Sequence, residues 1–191
     1  MTAVLQQTLM FIVQFVFGLY SFVIVMRLWL RLIGIDHGHP MVLSIAKATN
    51  PIVNKLQKYI PSFGQLEIAS VVLLVVVTLV KLLLVSFISG HIPQPGGLVV
   101  WTLISAIEVG LDAIFYMMIM MALLSWIPSA QPAMYSLLTQ ITSPLLAPIR
   151  RMVPLLGGMD LSPVIILVVV QVLEMLLVHP VVRASLMASF H

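Results

Sequence analysis

The chain has 191 residues, 61% of them apolar and 8% charged, with nine basic and six acidic side chains and no cysteine. A soluble domain is about 25% charged, so these few charges cannot coat a water-soluble monomer, and disorder, collagen and nucleic-acid-binding arms are excluded with it. The missing cysteine excludes disulfides, iron–sulfur clusters, thiolate-held zinc and a thiol nucleophile.

Taken in chain order, the first apolar stretch covers residues 4–32, interrupted by Gln6, Gln7 and Gln14 before Arg27. It lacks the basic start and small-residue exit of a signal peptide, so it is expected to remain as a helix. Residues 33–67 form a basic loop. Within it Asn50 before Pro51 reads as a helix N-cap followed by proline at the first helical position. Ile52, Val53, Leu56, Tyr59 and Ile60 then fall at helical spacing, with Lys55, Gln57 and Lys58 off that stripe. Such a segment is expected to lie in the headgroup plane.

The second stretch, residues 68–89, holds one charge, Lys81. The third, residues 98–127, holds Glu108 and Asp112, and Ser105, Glu108, Asp112 and Tyr116 form one polar stripe on it. Residues 128–162 form a second basic loop, in which Ser143 precedes Pro144 as a second N-cap, and Pro148 predicts a kink or two short turns. The fourth stretch, residues 163–182, contains Gln171 and Glu174. A bilayer core takes roughly 20 helical residues to cross, and continuous apolar runs mark helices rather than barrel strands. Four transmembrane helices are therefore expected.

Lys and Arg near the span ends set orientation. The first loop, with the end of the first stretch, holds Arg27, Arg31, Lys47, Lys55 and Lys58, and the second loop holds Arg150 and Arg151. The N-terminus and residues 91–97 have none, and the C-terminal tail has Arg183. Both long loops are expected in the cytoplasm and both termini outside, with Trp29 and Trp126 in the inner aromatic belt and Trp101 in the outer one.

The two halves repeat. Residues 49–67 align without gaps on residues 142–160 at an offset of 93, matching Pro51 to Pro144, Pro61 to Pro154, Gly64 to Gly157 and Glu67 to Asp160. Pro61 and Pro154 are expected to stop the loop helices, and the two glycines to allow the turn into the next span. Each unit, residues 1–97 and 98–191, is a helical hairpin with an interfacial amphipathic loop helix. Because each unit crosses twice, the two share one orientation, with a pseudo-two-fold axis along the membrane normal. The fold class is all-α integral membrane, two parallel hairpin repeats.

The stretch Pro144-Leu-Leu-Ala-Pro-Ile-Arg-Arg-Met-Val-Pro-Leu-Leu-Gly-Gly-Met-Asp160 resembles the motif of the YggT (YlmG-like) family of small bacterial and organellar membrane proteins. The first copy departs from it, with Lys55 at the proline position, Gln57-Lys58 for Arg-Arg and Glu67 for Asp. The resemblance covers nearly the whole chain and implies residence in the bacterial cytoplasmic membrane. It implies links to division, to osmotic or potassium homeostasis, or to membrane-complex assembly, and carries over no catalytic residue.

Ionisable groups within spans are costly and mark function by default. Lys81 and Glu174 are equivalent under the repeat, as are Thr78 and Gln171, and in each copy the two positions, Thr78 with Lys81 and Gln171 with Glu174, lie three apart on one helix face. Counting 1.5 Å per residue, Lys81, Asp112 and Glu174 sit roughly 17–21 Å from the cytoplasmic interface. Lys81 is expected to pair with Glu174, Asp112 or both. The intramembrane polar cluster is thus Thr78, Lys81, Glu108, Asp112, Gln171 and Glu174, and the interfacial basic motif is Lys55, Lys58, Arg150 and Arg151.

Asp36, His37 and His39 read as a solvated turn before a zinc site, and His91 with His179 lack any haem-attachment motif. The methionines at 117, 118, 120 and 121 read as packing. No phosphate loop, nucleophile elbow or metalloprotease motif occurs, and no cofactor or metal is expected. The function expected is a non-enzymatic interaction or assembly factor whose partners are anionic lipids and other membrane proteins or further copies of itself, with no nucleic acid. The alternative is small-ion transport or a transporter accessory using Lys81, Glu108, Asp112 and Glu174.

Overall fold

A computed structural model describes residues 2–35, 39–61, 66–90, 94–125, 132–152 and 161–178. Six α-helices follow in order: α1 Thr2–Ile33, α2 Pro40–Gln57, α3 Ile68–Ser89, α4 Pro95–Ser125, α5 Pro132–Arg150 and α6 Ser162–Leu173, the last running into a π-helical turn, Glu174–Val178. Three of them, α1, α3 and α4, are long and apolar enough to cross a membrane. The apolar run of residues 162–178 is shorter, about 26 Å at 1.5 Å per residue, and residues 179–182 of the expected fourth span lie outside the described residues.

α1 and α3 form an antiparallel hairpin fastened at both ends. Near one end Gln6 Nε2 donates to the Ile88 carbonyl (2.8 Å). At the other, Arg27 Nε donates to Glu67 Oε2 (2.7 Å). The two ties lie 21 residues apart on each helix, about 31 Å, which is the thickness of a bilayer core. Polar side chains thus bond at the margins while Ile24, Leu73, Leu74 and Val77 pack between them.

Glycine ends both helices of this hairpin. Gly34 takes φ +73° and Gly90 φ +75°, the left-handed conformation that costs other residues a clash with the following carbonyl. At α1 the Ile35 N–H returns to the Leu30 carbonyl and the Gly34 N–H to the Arg31 carbonyl, 3.2 Å each. Ile35 and Leu30 are both buried in the same cluster, the apolar contact that accompanies this cap.

The amphipathic loop helices begin earlier than proline position suggests. α2 starts at Pro40, capped by His39, whose side chain accepts from the Met41 N–H, and runs through Pro51. α5 starts at Pro132 and runs through both Pro144 and Pro148. Asn50 and Ser143 are therefore inside helices rather than caps. Proline strips its position of the donor that would reach four residues back, and in α5 the neighbouring Ser143 hydroxyl supplies one, donating to the Gln140 carbonyl at 3.0 Å. Thr49 and Thr142 likewise donate back to Ile45 and Leu138, both at 2.7 Å. The two threonine bonds close the turns just before Pro51 and Pro144, and α5 stays helical through Pro148.

α2 packs on α1 and α3, and α5 packs on α4, α6 and α1. Trp29 Nε1 donates to the Ile141 carbonyl of α5 (3.0 Å), so the end of α1 that carries α2 also carries α5. Both loop helices consequently sit at one end of the bundle. Met117, Met118 and Met121 are buried in the clusters that join α4 to α1, α5 and α6.

α3 packs on α4, but among the described residues α6 touches α4 and α5 and neither α1 nor α3. A two-fold exchange of the repeats would match the α3–α4 contact with one between α6 and α1. The flank left open there carries Asp112, Gln171 and Glu174, polar groups that are costly to seal in an apolar contact.

Candidate functional sites

Two polar assemblies stand out, one at the loop-helix end and one within the spans. The first is built on Glu67, which immediately precedes α3 and is 1% exposed. Its carboxylate accepts from Arg27 Nε (2.7 Å) and Nη2 (3.0 Å) as a fork, and from Arg31 Nη1, Gln57 Nε2 and the Ser70 hydroxyl. Arg27 spends its remaining nitrogen, Nη1, on Thr49 Oγ1 (2.7 Å) and Asn50 Oδ1 (2.6 Å). α1, α2 and α3 therefore meet at one buried carboxylate. Burial alone would raise the Glu67 pKa; hydrogen bonds from Arg27 and Ser70 and the charges of Arg27 and Arg31 outweigh it and hold the group below its ordinary value. Both ion pairs between described residues converge on Glu67.

Sequence reading placed Arg27 and Arg31 only as topogenic charges and Glu67 only as the match of Asp160. The available signal was a lone acid directly before an apolar span, facing two arginines one helical turn apart at the end of another span. Asp160, with Pro154 and Gly157, lies outside the described residues, as do Gly64, Trp126 and Arg183.

The second assembly lies along α4. A cavity of about 550 Å³ between α1, α3 and α4 is lined by Gln14, Lys81, Glu108, Asp112 and Tyr116 among apolar neighbours. A second, of about 810 Å³, runs between α4 and α6 and is lined by Asp112, Tyr116, Gln171 and Glu174. Asp112 and Tyr116 belong to both and form the ridge between them. Asp112 lies in the electrostatic field of Lys81 on one side and Glu174 on the other. Gln171 Nε2 donates to Glu174 Oε2 at 3.1 Å, and Glu174 opens the π-helical turn, a distortion frequent at functional positions. α3 and α6 do not touch, and among the described residues no ion pair joins Lys81 to Asp112 or Glu174, so the expected pairing is not made. Thr78 is fully buried, its hydroxyl donating to the Leu74 carbonyl (2.8 Å), and lines neither cavity.

Lys55, Lys58, Arg150 and Arg151 are all exposed on the loop-helix surface. His39 serves as a cap, while Asp36, His37, His91 and His179 fall outside the described residues. Among the described residues no group of three His, Asp or Glu side chains could hold a metal ion.

A family model described as CCB3/YggT matches residues 6–88 and 100–181. The chain belongs to the CCB3/YggT family. The uncharacterised protein YggT of Escherichia coli strain K12 is 30% identical over 171 residues, 88% of each chain. The uncharacterised protein PA0392 of Pseudomonas aeruginosa is 32% identical over 174 residues, 88% of this chain and 87% of its own. An uncharacterised protein of Vibrio alginolyticus, named for its place in the proC 3′ region, is 30% identical over 163 residues, 84% and 88%. No solved structure matches the chain. Membership of the CCB3/YggT family fits the three long apolar helices, and none of these relatives' names carries an activity.

Proposed function

We propose that this CCB3/YggT protein is a four-span protein of the bacterial inner membrane that acts as a non-enzymatic assembly factor, docking a basic transmembrane segment of another membrane protein in the groove between α4 and α6. The two family-matched stretches begin 94 residues apart, close to the 93-residue offset, which supports two hairpin repeats with α6 as the short core of the fourth span. The single end shared by both loop helices supports a cytoplasmic side carrying Lys55, Lys58, Arg150 and Arg151 against anionic lipid, and termini outside.

The observation that carries the docking reading is the polar content of an apolar-walled flank. Asp112 and Glu174 line a groove whose other walls include Val164, Val168 and Met175, which are 48%, 58% and 69% exposed. An ionised carboxylate within a bilayer costs about 2.5–3.5 kcal/mol on insertion scales. A basic side chain on an incoming helix cancels that cost and selects the partner. Photo-crosslinkers at Val168 and Met175 in native membranes test this. Crosslinks to one membrane protein, lost in Asp112→Asn/Glu174→Gln, support it; crosslinks to lipid alone overturn it.

One observation favours the alternative of small-ion transport: the two cavities meet at Asp112 and Tyr116, giving Lys81, Glu108, Asp112 and Glu174 a common wall. Ion flux in liposomes, abolished by Glu174→Gln, is the outcome that selects transport over docking.

A further inference from the structure

The Glu67 assembly contains two cations and one anion, and its surplus positive charge faces a cavity. Between α1 and α2 lies a space of about 160 Å³, lined by the polar Arg27, Arg31 and Asn50 and by apolar residues that include Leu30, Val42 and Ile45. Arg27 is 11% exposed and bonds through all three of its nitrogens. Arg31 differs. Among the described residues it gives only Nη1, to Glu67; its side chain is 39% exposed, and it lines the cavity. A guanidinium presents five donors in a planar fork suited to a phosphate or carboxylate, so Arg31 retains the edge carrying Nε and Nη2 for a second anion.

We infer that this cavity is a binding site for a phosphate ester, held by the free edge of Arg31. Three observations converge on that chemistry. Among the described residues the Arg27, Arg31 and Glu67 group carries one net positive charge. Its fixed geometry is already set, because Glu67 holds the guanidinium in place, so little side-chain entropy remains to be lost on binding. The rest of its lining is apolar, which suits the glycerol and first methylenes of a phospholipid, and it lies at the end of α1 where the helix reaches its Gly34 cap. Asn50 Oδ1 accepts from Arg27, leaving its amide nitrogen as a further donor beside the cavity. The site is separate from exposed Lys55 and Lys58, which offer loose charge without walls, and from the groove between α4 and α6.

The test uses the full chain in detergent, delipidated and then titrated with phosphatidylglycerol, phosphatidylcholine or inorganic phosphate, with bound ligand counted by native mass spectrometry. Phosphatidylglycerol is expected to be retained one per chain, with Arg31→Gln weakening it roughly tenfold or more, the value of a charge-assisted hydrogen bond. Arg31→Lys restores part of that affinity, and Lys55→Gln/Lys58→Gln leaves it unchanged. Val42→Phe, which keeps every charge and fills the cavity, is expected to displace the ligand even if Arg31→Gln proves too unstable to purify. Inorganic phosphate bound with the same dependence on Arg31 and Val42 assigns the site to a soluble phosphate ester instead of a headgroup and equally supports it. Retention of phosphatidylglycerol that is indifferent to both Arg31→Gln and Val42→Phe, or no retention of either ligand, overturns the site.

Discussion

Arg27 grips Glu67 with both prongs of one guanidinium edge, Nε to Oε2 at 2.7 Å and Nη2 to Oε1 at 3.0 Å, across 40 residues of sequence. Both side chains are almost fully buried. Removing one member of a buried pair strands the other and costs about 3–5 kcal/mol. Glu67→Ala is therefore expected to melt far below the parent in the same detergent. Arg27→Lys keeps the charge but gives up the fork and the bonds to Thr49 and Asn50, and should fall in between. A Glu67→Ala protein as stable as the parent would show that the hairpin does not depend on this carboxylate.

The same carboxylate makes stability depend on acid. Its folded pKa is held below the ordinary value by Arg27, Ser70 and Arg31 against the opposing effect of burial. A group depressed on folding contributes fully above its unfolded pKa, about 4.3 for glutamate, and loses that contribution as pH falls through the lower folded value. The gap in melting temperature between the parent and Glu67→Gln should be constant from pH 7 to about 5 and narrow below about pH 4. Melting curves of the two proteins over that range measure it, and a gap that widens in acid reverses the assignment.

Much of this bundle is legible in sequence because membrane spans are written locally. α3 spans residues 68–89, as its unbroken apolar run predicts. The stripe of Glu108, Asp112 and Tyr116 lines one cavity because a three- and four-residue spacing fixes a helix face. The Glu67 network is not local: its donors come from α1, α2 and α3, and no spacing rule connects residue 27 to residue 67. The start of α2 is hidden for another reason. Asn50-Pro51 carries a true cap signature, but Thr49 and Asn50 are engaged by Arg27, and this tertiary contact sits inside a longer helix that His39 begins.

The Trp29 indole is the one described side chain of α1 with a hydrogen bond into α5. Trp29→Phe keeps an aromatic ring of smaller size and removes the donor, and the lost hydrogen bond alone costs about 1 kcal/mol. The effect should be regional rather than global. Hydrogen exchange should rise in α5 around Ile141 while α3 amides keep their protection, and an equal rise in both helices would mean that the bond supports the whole bundle.

Gly34 and Gly18 separate conformation from space. An added Cβ would meet nothing within 4 Å at either, yet Gly34 has φ +73° and Gly18 lies within α1. Gly34→Ala is expected to cost about 1–2 kcal/mol for the left-handed backbone, whereas Gly18→Ala should gain up to about 1 kcal/mol in helix propensity. Melting temperatures that move in the same direction for both would refute the backbone explanation.

Asp112 stands between a cation and an anion, Lys81 across one cavity and Glu174 across the other. The two neighbours act oppositely on it, so their removal should have opposite signs. Lys81→Met leaves Asp112 and Glu174 as like charges in a low-dielectric flank and is expected to destabilise the bundle. Glu174→Gln removes that repulsion while keeping a polar partner for Gln171, and should be neutral or stabilising. In Lys81→Met/Asp112→Asn the loss should be partly recovered, because the group left uncompensated is gone. A double-mutant cycle measured by unfolding in bicelles is expected to give about 0.5–3 kcal/mol of coupling between Lys81 and Asp112, and less between Lys81 and Glu174, whose helices do not touch. Equal coupling of Lys81 to both acids would mean that the field passes through the two cavities as one continuous polar space, and zero coupling to Asp112 would remove Lys81 from the cluster.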